Sequence, residues 1–470
     1  MISCQIYIRR PEDDVESDIH DWLCIHDTRN TDNKLISPVC VIEKNRISTL
    51  TFKVYPDSPA FSLLTTENSS QCEVWVCERT ILDHEPEYNP LTFPKNRWYQ
   101  EEQVGDDKHV YRYDLFVGHV VEYTPYYADN GLLEANIMCV DHMDYLNYGI
   151  LPREEYNLKN IPPTGEVENG DTAWFRYFVG RFNEERGQMY NEFNRDEFIV
   201  NTDKNKLIND YNYIVDFERT YEALYNRFID KRGGVFFTDY TGYVIVGSTP
   251  AGGVKQPDKY PGGIEVRWVS DSKYGRHRDV DIEYGVNLKS LTITTDTSEY
   301  CTRVYPVGAL QDNGQRLSLK DYSGHGHDPE KTYVNNSTAE ENGVVAVVNE
   351  WSDVTTKENL YNRAVDFLNN SRTRKSYDAT VLDLSVIGNP ENRFRCGDKH
   401  RIIQPDMNVD EELQIIRIEY DLAQLQNVQL TFGDKIVNAS EQRENTLNKN
   451  KEKIESITQI LGGASNVVST

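Results

Sequence analysis

The sequence has no apolar run of the roughly 18 residues a membrane-spanning helix needs. Its start, Met1-Ile2-Ser3-Cys4-Gln5-Ile6-Tyr7-Ile8-Arg9-Arg10, also lacks the basic head and long apolar stretch of a secretory signal. Neither a membrane-spanning segment nor export by signal is expected. Positive charge is scarce, with 50 Lys and Arg against 76 Asp and Glu, for a formal charge of −26. Such a chain repels phosphate backbones, so sequence-specific nucleic-acid binding is not expected. The acids are spread along the chain, which suits solubility before assembly or the lining of a pore. Cysteine is sparse and scattered: Cys4, Cys24, Cys40, Cys72, Cys77, Cys139, Cys301 and Cys396 include no CxxC pair. Reduced, mostly buried thiols are the expectation.

Catalytic signatures are missing as well. No HExxH, GxSxG or GxxxxGK occurs. Three partial constellations are weaker than they look. His325, His327 and Asp328 sit in a Gly- and Ser-rich loop with no partner cluster, so they read as loop residues and not as metal ligands. Cys72 and Cys77, drawn together with His84, stand five apart on a strand and so point to opposite faces. Cys396 and His400 share a Cys-Gly-Asp-Lys-His turn that offers no third group to orient an imidazole. No pair among the many acids stands out for glycoside hydrolysis. No catalytic residue, no cofactor and no metal site is expected.

What is present is material for several cores. The 470 residues are 38% hydrophobic and 11% aromatic, with 30 Tyr against 16 Phe, a bias suited to contacts with other chains. Leu50, Phe52 and Val54 alternate with Thr51 and Lys53, a half-buried strand that Pro56 to Pro59 stops. Further strands are expected over Pro38–Ile42, Cys72–Glu78, Leu115–Tyr123, Leu133–Val140, Val381–Val386, Ile416–Tyr420 and Val428–Phe432. Long polar stretches, Arg9–Asn33 and His84–Lys108, read as loop insertions. In the middle third, Phe217, Tyr221, Leu224, Tyr225 and Phe228 recur at helical spacing before Gly233-Gly234, and Val235–Val246 reads as a hairpin. Thr355 and Glu358 form a capping pair ahead of the stripe Leu360, Ala364, Phe367 and Leu368. The fold class read from this is α+β and multidomain, with two β domains flanking a mixed one. The boundaries fall at 1–152, 153–270, 271–435 and 436–470.

The last of these segments is polar with a sparse apolar repeat. Leu447, Ile454 and Leu461 are spaced by seven, with Asn450 and Ile457 between them and Gly462-Gly463 after. A short coiled coil is one reading, and isoleucine at both heptad positions leans toward three strands. An amphipathic helix lying on its own domain is the other.

Several segments, taken in order, resemble the hub family of phage tail tips, which includes the N-terminal region of tail-associated lysins (the prophage endopeptidase tail family) and the baseplate hub of contractile phages. The residues carrying the resemblance are Leu50 to Phe61, Phe116-Val117-Gly118-His119-Val120, Asp141 to Leu146, and the helix followed by Gly233-Gly234. The most specific are Gly285-Val286-Asn287-Leu288 and Thr302-Arg303-Val304-Tyr305-Pro306-Val307-Gly308-Ala309. Gly397-Asp398, Ile416 to Tyr420 and Leu430 to Asp434 complete them.

The resemblance implies two β-barrel-like domains per chain and a homotrimer, whose pseudo-sixfold ring adapts a sixfold tail tube to the tip around the DNA ejection channel. Leu447, Asn450, Ile454, Ile457 and Leu461 are the expected trimer contacts. The implied partners are a distal tail or tube protein above and a fibre, spike or tip protein below, in a virion assembled in the host cytoplasm. A structural role without enzyme activity is expected. The alternatives are a tail-associated peptidoglycan hydrolase, which would need a catalytic constellation, and a receptor-binding tail protein using the insertion loops.

Overall fold

The structure, a computed structural model, describes residues 2–9, 22–30, 35–64, 72–83, 98–103, 108–157, 171–187, 199–202, 212–215, 217–230, 233–240, 243–245, 259–261, 264–297, 300–311, 313–337, 339, 343–352, 354–371 and 373–434. The first third supplies eight strands: β1 Ser3–Arg9, β2 Leu23–Asp27, β3 Leu35–Glu43, β4 Thr49–Val54, β5 Glu73–Leu82, β6 Trp98–Gln103, β7 His109–Tyr127 and β8 Leu133–Asp141. Shorter ones follow: β9 Ile150–Leu151, β10 Glu154–Asn157, β11 Ile199–Thr202, β12 Asn212–Val215, β13 Glu218–Arg219, β14 Val235–Tyr240, β15 Tyr243–Ile245, β16 Lys259–Pro261 and β17 Ile264–Val269. The last third adds β18 Ile282–Glu283, β19 Leu288–Asp296, β20 Arg303–Val307, β21 Val334–Asn335, β22 Ala346–Glu350, β23 Arg374–Leu382, β24 Lys399–Gln404, β25 Val409–Asp421 and β26 Asn427–Gly433.

The strand pattern works as alternation predicts. On β4, Leu50, Phe52 and Val54 are buried while Thr51 is exposed; on β26, Val428, Leu430 and Phe432 are buried in the same rhythm. These inward rows meet in one core. It joins Ile6, Phe52 and Ile137 from the first third to Ile415, Tyr420 and Phe432 from the last.

That shared core corrects the expected fold class. The described residues are mostly β, not α+β, and among them no barrel closes. Eleven strands run in the order β19-β23-β26-β25-β3-β4-β8-β7-β5-β1-β2, and β6, β18 and β24 attach at their sides to make one 14-stranded sheet. The two expected β-barrel-like domains are fused along β3 and β25, which pair antiparallel with Ile42 opposite Ile418 and Cys40 opposite Tyr420. The physical reason is edge satisfaction. A strand edge leaves a row of unbonded N–H and C=O groups, and each of these two edges satisfies the other. Nor is there a coiled coil among the described residues: the expected C-terminal helix, with Leu447, Asn450, Ile454, Ile457 and Leu461, lies outside them.

Around this sheet the middle third packs a second core. The helix Asp171–Gly187 buries Trp174, Phe175, Phe178, Val179 and Phe182, and Phe175 stacks on Trp268 at 5.2 Å. The expected hairpin across Val235–Val246 does not form among the described residues. β14 pairs with β17, Val235 opposite Val269, while β15 pairs with β16. The expected helix near Phe217 is shorter, Thr220–Leu224 continued by a π turn, and Phe217 stands outside it at φ 52°. Part of the insertion His84–Lys108 is strand β6, paired with β7.

In the last third the helix Lys357–Asn370 buries Leu360, Ala364 and Leu368. Its cap is Thr356, one residue beyond the expected Thr355, and the Thr356 hydroxyl accepts from the Asn359 amide. The strand expected over Val381–Val386 stops at Leu382, where buried Asp383 caps a short 3-10 turn. All eight cysteines are free, seven of them buried.

Candidate functional site

The most unusual chemistry lies inside the fused sheet. β5 is covered along most of its length, and it carries Glu78 into the interior at 2% exposure. Facing it are Arg393 and Arg395, two apart on extended backbone and so on the same side. Phe394 between them turns into the core, and the Tyr420 hydroxyl donates to its carbonyl at 2.7 Å. Arg393 Nε donates to Glu78 Oε1 at 2.9 Å, and Arg395 Nη2 to Glu78 Oε2 at 2.5 Å. Arg393 Nη1 also reaches Asp383 Oδ2 at 3.0 Å and the Leu425 carbonyl at 2.7 Å. The guanidiniums lie over aromatic rings, Arg393 over Tyr420 at 5.0 Å and Arg395 over Tyr113 at 3.9 Å.

Two cations and two carboxylates make a neutral cluster, the condition under which charges tolerate burial. Burial by itself would raise the Glu78 carboxyl, but the charges of Arg393 and Arg395 outweigh it and hold the group below the usual range. Burial pushes the Tyr420 hydroxyl well up, so it stays a neutral donor. The cluster ties residue 78 to residues 393 and 395, sewing the two ends of the chain together. None of these residues except Tyr420 was singled out by sequence. Arg393-Phe394-Arg395, with charge and aromatic at period two before a strand, is the one local hint.

Beside the cluster is a cavity of about 70 Å³, lined among others by Lys44, Asn45, Tyr113, Asp114, Phe236 and Arg395. It sits where the three thirds of the chain meet and has room for a few waters, well short of a sugar or nucleotide pocket. Asn45, in the left-handed region at φ 61°, extends the junction: its Nδ2 donates to the Gly234 carbonyl at 3.0 Å and its Oδ1 accepts from the Phe236 amide at 2.7 Å. Lys44 bridges to Asp271 at 2.5 Å.

The residues that carry the family resemblance are also structural pins. A Cβ on Gly118 would stand 1.9 Å from the Val140 carbonyl oxygen, so only glycine lets β7 pass β8 there. The Asn287 side chain accepts from the Glu283 amide at 2.8 Å and donates to the Asp281 carbonyl at 2.9 Å, closing the turn into β19. The Thr302 hydroxyl donates to Gly343 O and accepts from Val345 N, both at 2.9 Å. Asp398, fully buried, accepts from the Arg276 amide at 3.0 Å and from Arg278 Nε at 2.5 Å.

The partial constellations fall as follows. Burial pushes the Cys396 thiol up to about 12, and burial lowers His400, whose Nδ1 faces the Val280 carbonyl at 2.8 Å. Cys77 is likewise pushed up to about 12 by burial and packs with Trp75, whereas Cys72 faces the main core; His84 lies outside the described residues. His325 stacks on Tyr361 at 5.6 Å, and both ring nitrogens of His327 face backbone carbonyls at 3.1 Å. Among the described residues no three His, Cys, Asp or Glu gather as metal ligands. Among them, too, no helix is long and apolar enough to cross a membrane.

Residues 276–442 match the model of a family described as prophage endopeptidase tail. No curated protein matches the chain. Among solved structures, the 43 kDa tail protein of prophage MuSo2 from Shewanella oneidensis is similar over 92% of this chain and 98% of its own, at 11% identity and a TM-score of 0.51. The prophage tail protein gp18 of Listeria monocytogenes EGD-e is similar over 95% and 99%, at 11% identity and a TM-score of 0.48. A tail protein of Neisseria meningitidis MC58 is similar over 92% and 97%, at 12% identity and a TM-score of 0.48. Residues 276–442 are thus similar to the prophage endopeptidase tail family, and the chain's fold is similar to that of the MuSo2 tail protein.

Proposed function

We propose that the chain is a structural hub of a phage or phage-derived tail tip, three copies of which form a ring around the path of the DNA. The observation that carries this reading is the fused sheet. Residues 1–152 and 271–435 each contribute a set of strands on either side of the β3–β25 seam. Three chains with two such units each would present six, matching a sixfold tube above with a threefold tip protein below. Among the described residues no strand pairs with the outer edges of β2 and β19, which end the sheet's main path. An open sheet with two free ends is suited to heterologous contact between neighbours. The charge of −26 suits a channel that passes DNA without holding it. In this role the chain needs no catalytic residue, and its tight turns and buried ion pairs serve rigidity.

Contacts between copies are assigned to Leu447, Asn450, Ile454, Ile457 and Leu461 on their spacing in the sequence. Light scattering of the purified chain should return about three times its 54.4 kDa mass. The double substitution Ile454→Asp and Ile457→Asp puts like charges where the copies meet and should reduce that mass to one chain without loss of β signal in circular dichroism. A wild-type mass of one chain at high concentration would refute the ring, while an unchanged trimer in the double variant would move the contacts elsewhere.

A further inference from the structure

Eight strands of the large sheet are neighbours in the order β25, β3, β4, β8, β7, β5, β1, β2. Laid flat, seven spacings of about 4.8 Å would put β2 roughly 34 Å from β25. Instead His26 on β2 faces the carbonyl of Leu422, the residue after β25, with Nε2 3.2 Å from the oxygen. Next to it, the Ile2 amide at the head of β1 donates to the Val386 carbonyl at 3.0 Å. On β5, Glu78 holds Arg393 and Arg395. The run of strands therefore curls until its far end touches the last third again, and no strand ladder joins the two there among the described residues. The first and last thirds are held along two lines. One is the β3–β25 ladder, and the other is made of side chains and a single backbone bond.

The second line contains a group that has no place for a second proton. His26 is 3% exposed, and its Nδ1 is enclosed with no partner among the described residues. With Nε2 donating to Leu422, the neutral ring has used its one N–H. A proton on Nδ1 would make a buried cation with a donor unbonded, which costs far more there than in water. The acceptor is fixed as well, because the Leu422 amide donates to the Pro38 carbonyl at 2.9 Å. The surroundings supply little counter-charge. Ile6 stands opposite His26 on β1, and the helix Pro59–Leu64, which packs on β2, has no ionisable residue. Asp421 accepts from the Ala423 and Gln424 amides. Asp27 does act on the ring, but its carboxylate is already taken by Arg29 and by the Gln5 side chain, both at 2.7 Å. Burial lowers the ring below the ordinary histidine value, outweighing the Leu422 carbonyl and Asp27.

We infer that this second line is an acid-operated latch, which holds β2 and the head of β1 against the last third at neutral pH and releases them when His26 takes a proton. By linkage, a histidine lowered in the fold keeps its contribution whole above the ordinary value of about 6.5 and loses it as pH falls below that. The Glu78 cluster yields only in stronger acid, since its carboxyl is held below the usual range. The β3–β25 ladder joins backbone to backbone and has no proton to gain. The latch therefore opens first, and the sheet parts along one line and not along both.

Hydrogen exchange of the full chain, read by mass spectrometry at about pH 7.5 and about pH 5 and corrected for the intrinsic pH dependence of exchange, tests this. The expected result is a loss of protection of at least about tenfold in β2 at the acid pH, with the β3–β25 amides unchanged. His26→Gln keeps a donor for the Leu422 carbonyl and does not titrate, so it should hold β2 equally at both pH values. Equal loss in the wild type and His26→Gln, equal loss along β3–β25, or no loss at about pH 5 would each overturn the inference. The pH at which wild-type protection begins to fall needs no variant. An onset near about 6.5 is expected, and one confined below about pH 4.5, the carboxylate range, would give the latch to Glu78 and overturn the role of His26. The readout is local to one chain, so it stands whether or not the copies form a ring.

Discussion

Replacing Arg393 with methionine should lower the unfolding free energy by about 3–5 kcal/mol, because it leaves buried carboxylates short of their cation. Arg393 is the residue that touches both acids of the cluster, Glu78 at 2.9 Å and Asp383 at 3.0 Å, while Arg395 reaches only Glu78. Without it, Asp383 keeps only local hydrogen bonds, to the Ser385 amide and hydroxyl and the Phe394 amide. Urea unfolding followed by tryptophan fluorescence reads the loss as a shift in midpoint. The double variant Asp383→Asn, Arg393→Met should recover part of it, since the carboxylate left without a cation is gone; a double variant as weak as the sum of both singles would argue against direct coupling. The cluster also fixes a pH dependence. The Glu78 carboxyl is held below its ordinary value in the folded chain, so its contribution is present above the unfolded pKa and is lost as pH falls through the folded one. Glu78→Gln should therefore flatten the acid side of the stability profile and leave the slope around neutral pH unchanged.

A comparable loss is expected from one methyl group at a second place. Gly275 has φ +83°, and a Cβ there would stand 1.6 Å from the Gly397 carbonyl oxygen. That carbonyl cannot retreat freely, because it accepts from Gln414 Nε2 at 2.9 Å, and the same amide donates to the Tyr274 carbonyl at 2.8 Å. Gly397 is itself confined, with φ +96° and the Tyr274 ring 2.4 Å from where its Cβ would be. Gly275→Ala combines left-handed strain with a backbone clash, and roughly 4 kcal/mol or more should be lost. Gly131→Ala is the matched control: its φ is +78° but nothing lies within 4 Å of the added carbon. Only the conformational cost, about 1 kcal/mol, remains there. Thermal melts of the two variants should differ by several degrees; equal melting temperatures would mean that the 275–397 crossing is looser than its geometry.

What could be read from sequence was local. β4 and β26 announce themselves by strict alternation, and the helix Lys357–Asn370 by its threonine cap and apolar stripe, because neighbours along the chain decide both features. The fusion of β3 with β25 could not be read that way. Val39-Cys40-Val41-Ile42 and Ile415 to Tyr420 look alike whether they line two barrels or adjoin in one sheet, and the pairing is between residues far apart in the chain. β14 found β17 and not β15 for the same reason. The alternation through Leu382, Leu384 and Val386 misled because Asp383, which looks like a solvent-facing position, is buried and turns the chain. The ion cluster stayed hidden because Glu78, Arg393 and Arg395 read by default as solvated charge. The helix Asp171–Gly187 is written in the sequence as well, since Trp174, Phe175, Phe178, Val179 and Phe182 keep helical spacing.

The fused sheet and the acidic charge are the grounds for the proposed ring. Electron microscopy of the purified chain, averaged without imposed symmetry and viewed along the particle axis, tests it most directly. Three copies around an open centre, with six strand-rich lobes at alternating radius, is the predicted image. Single chains, or a closed particle of any other order, would contradict it.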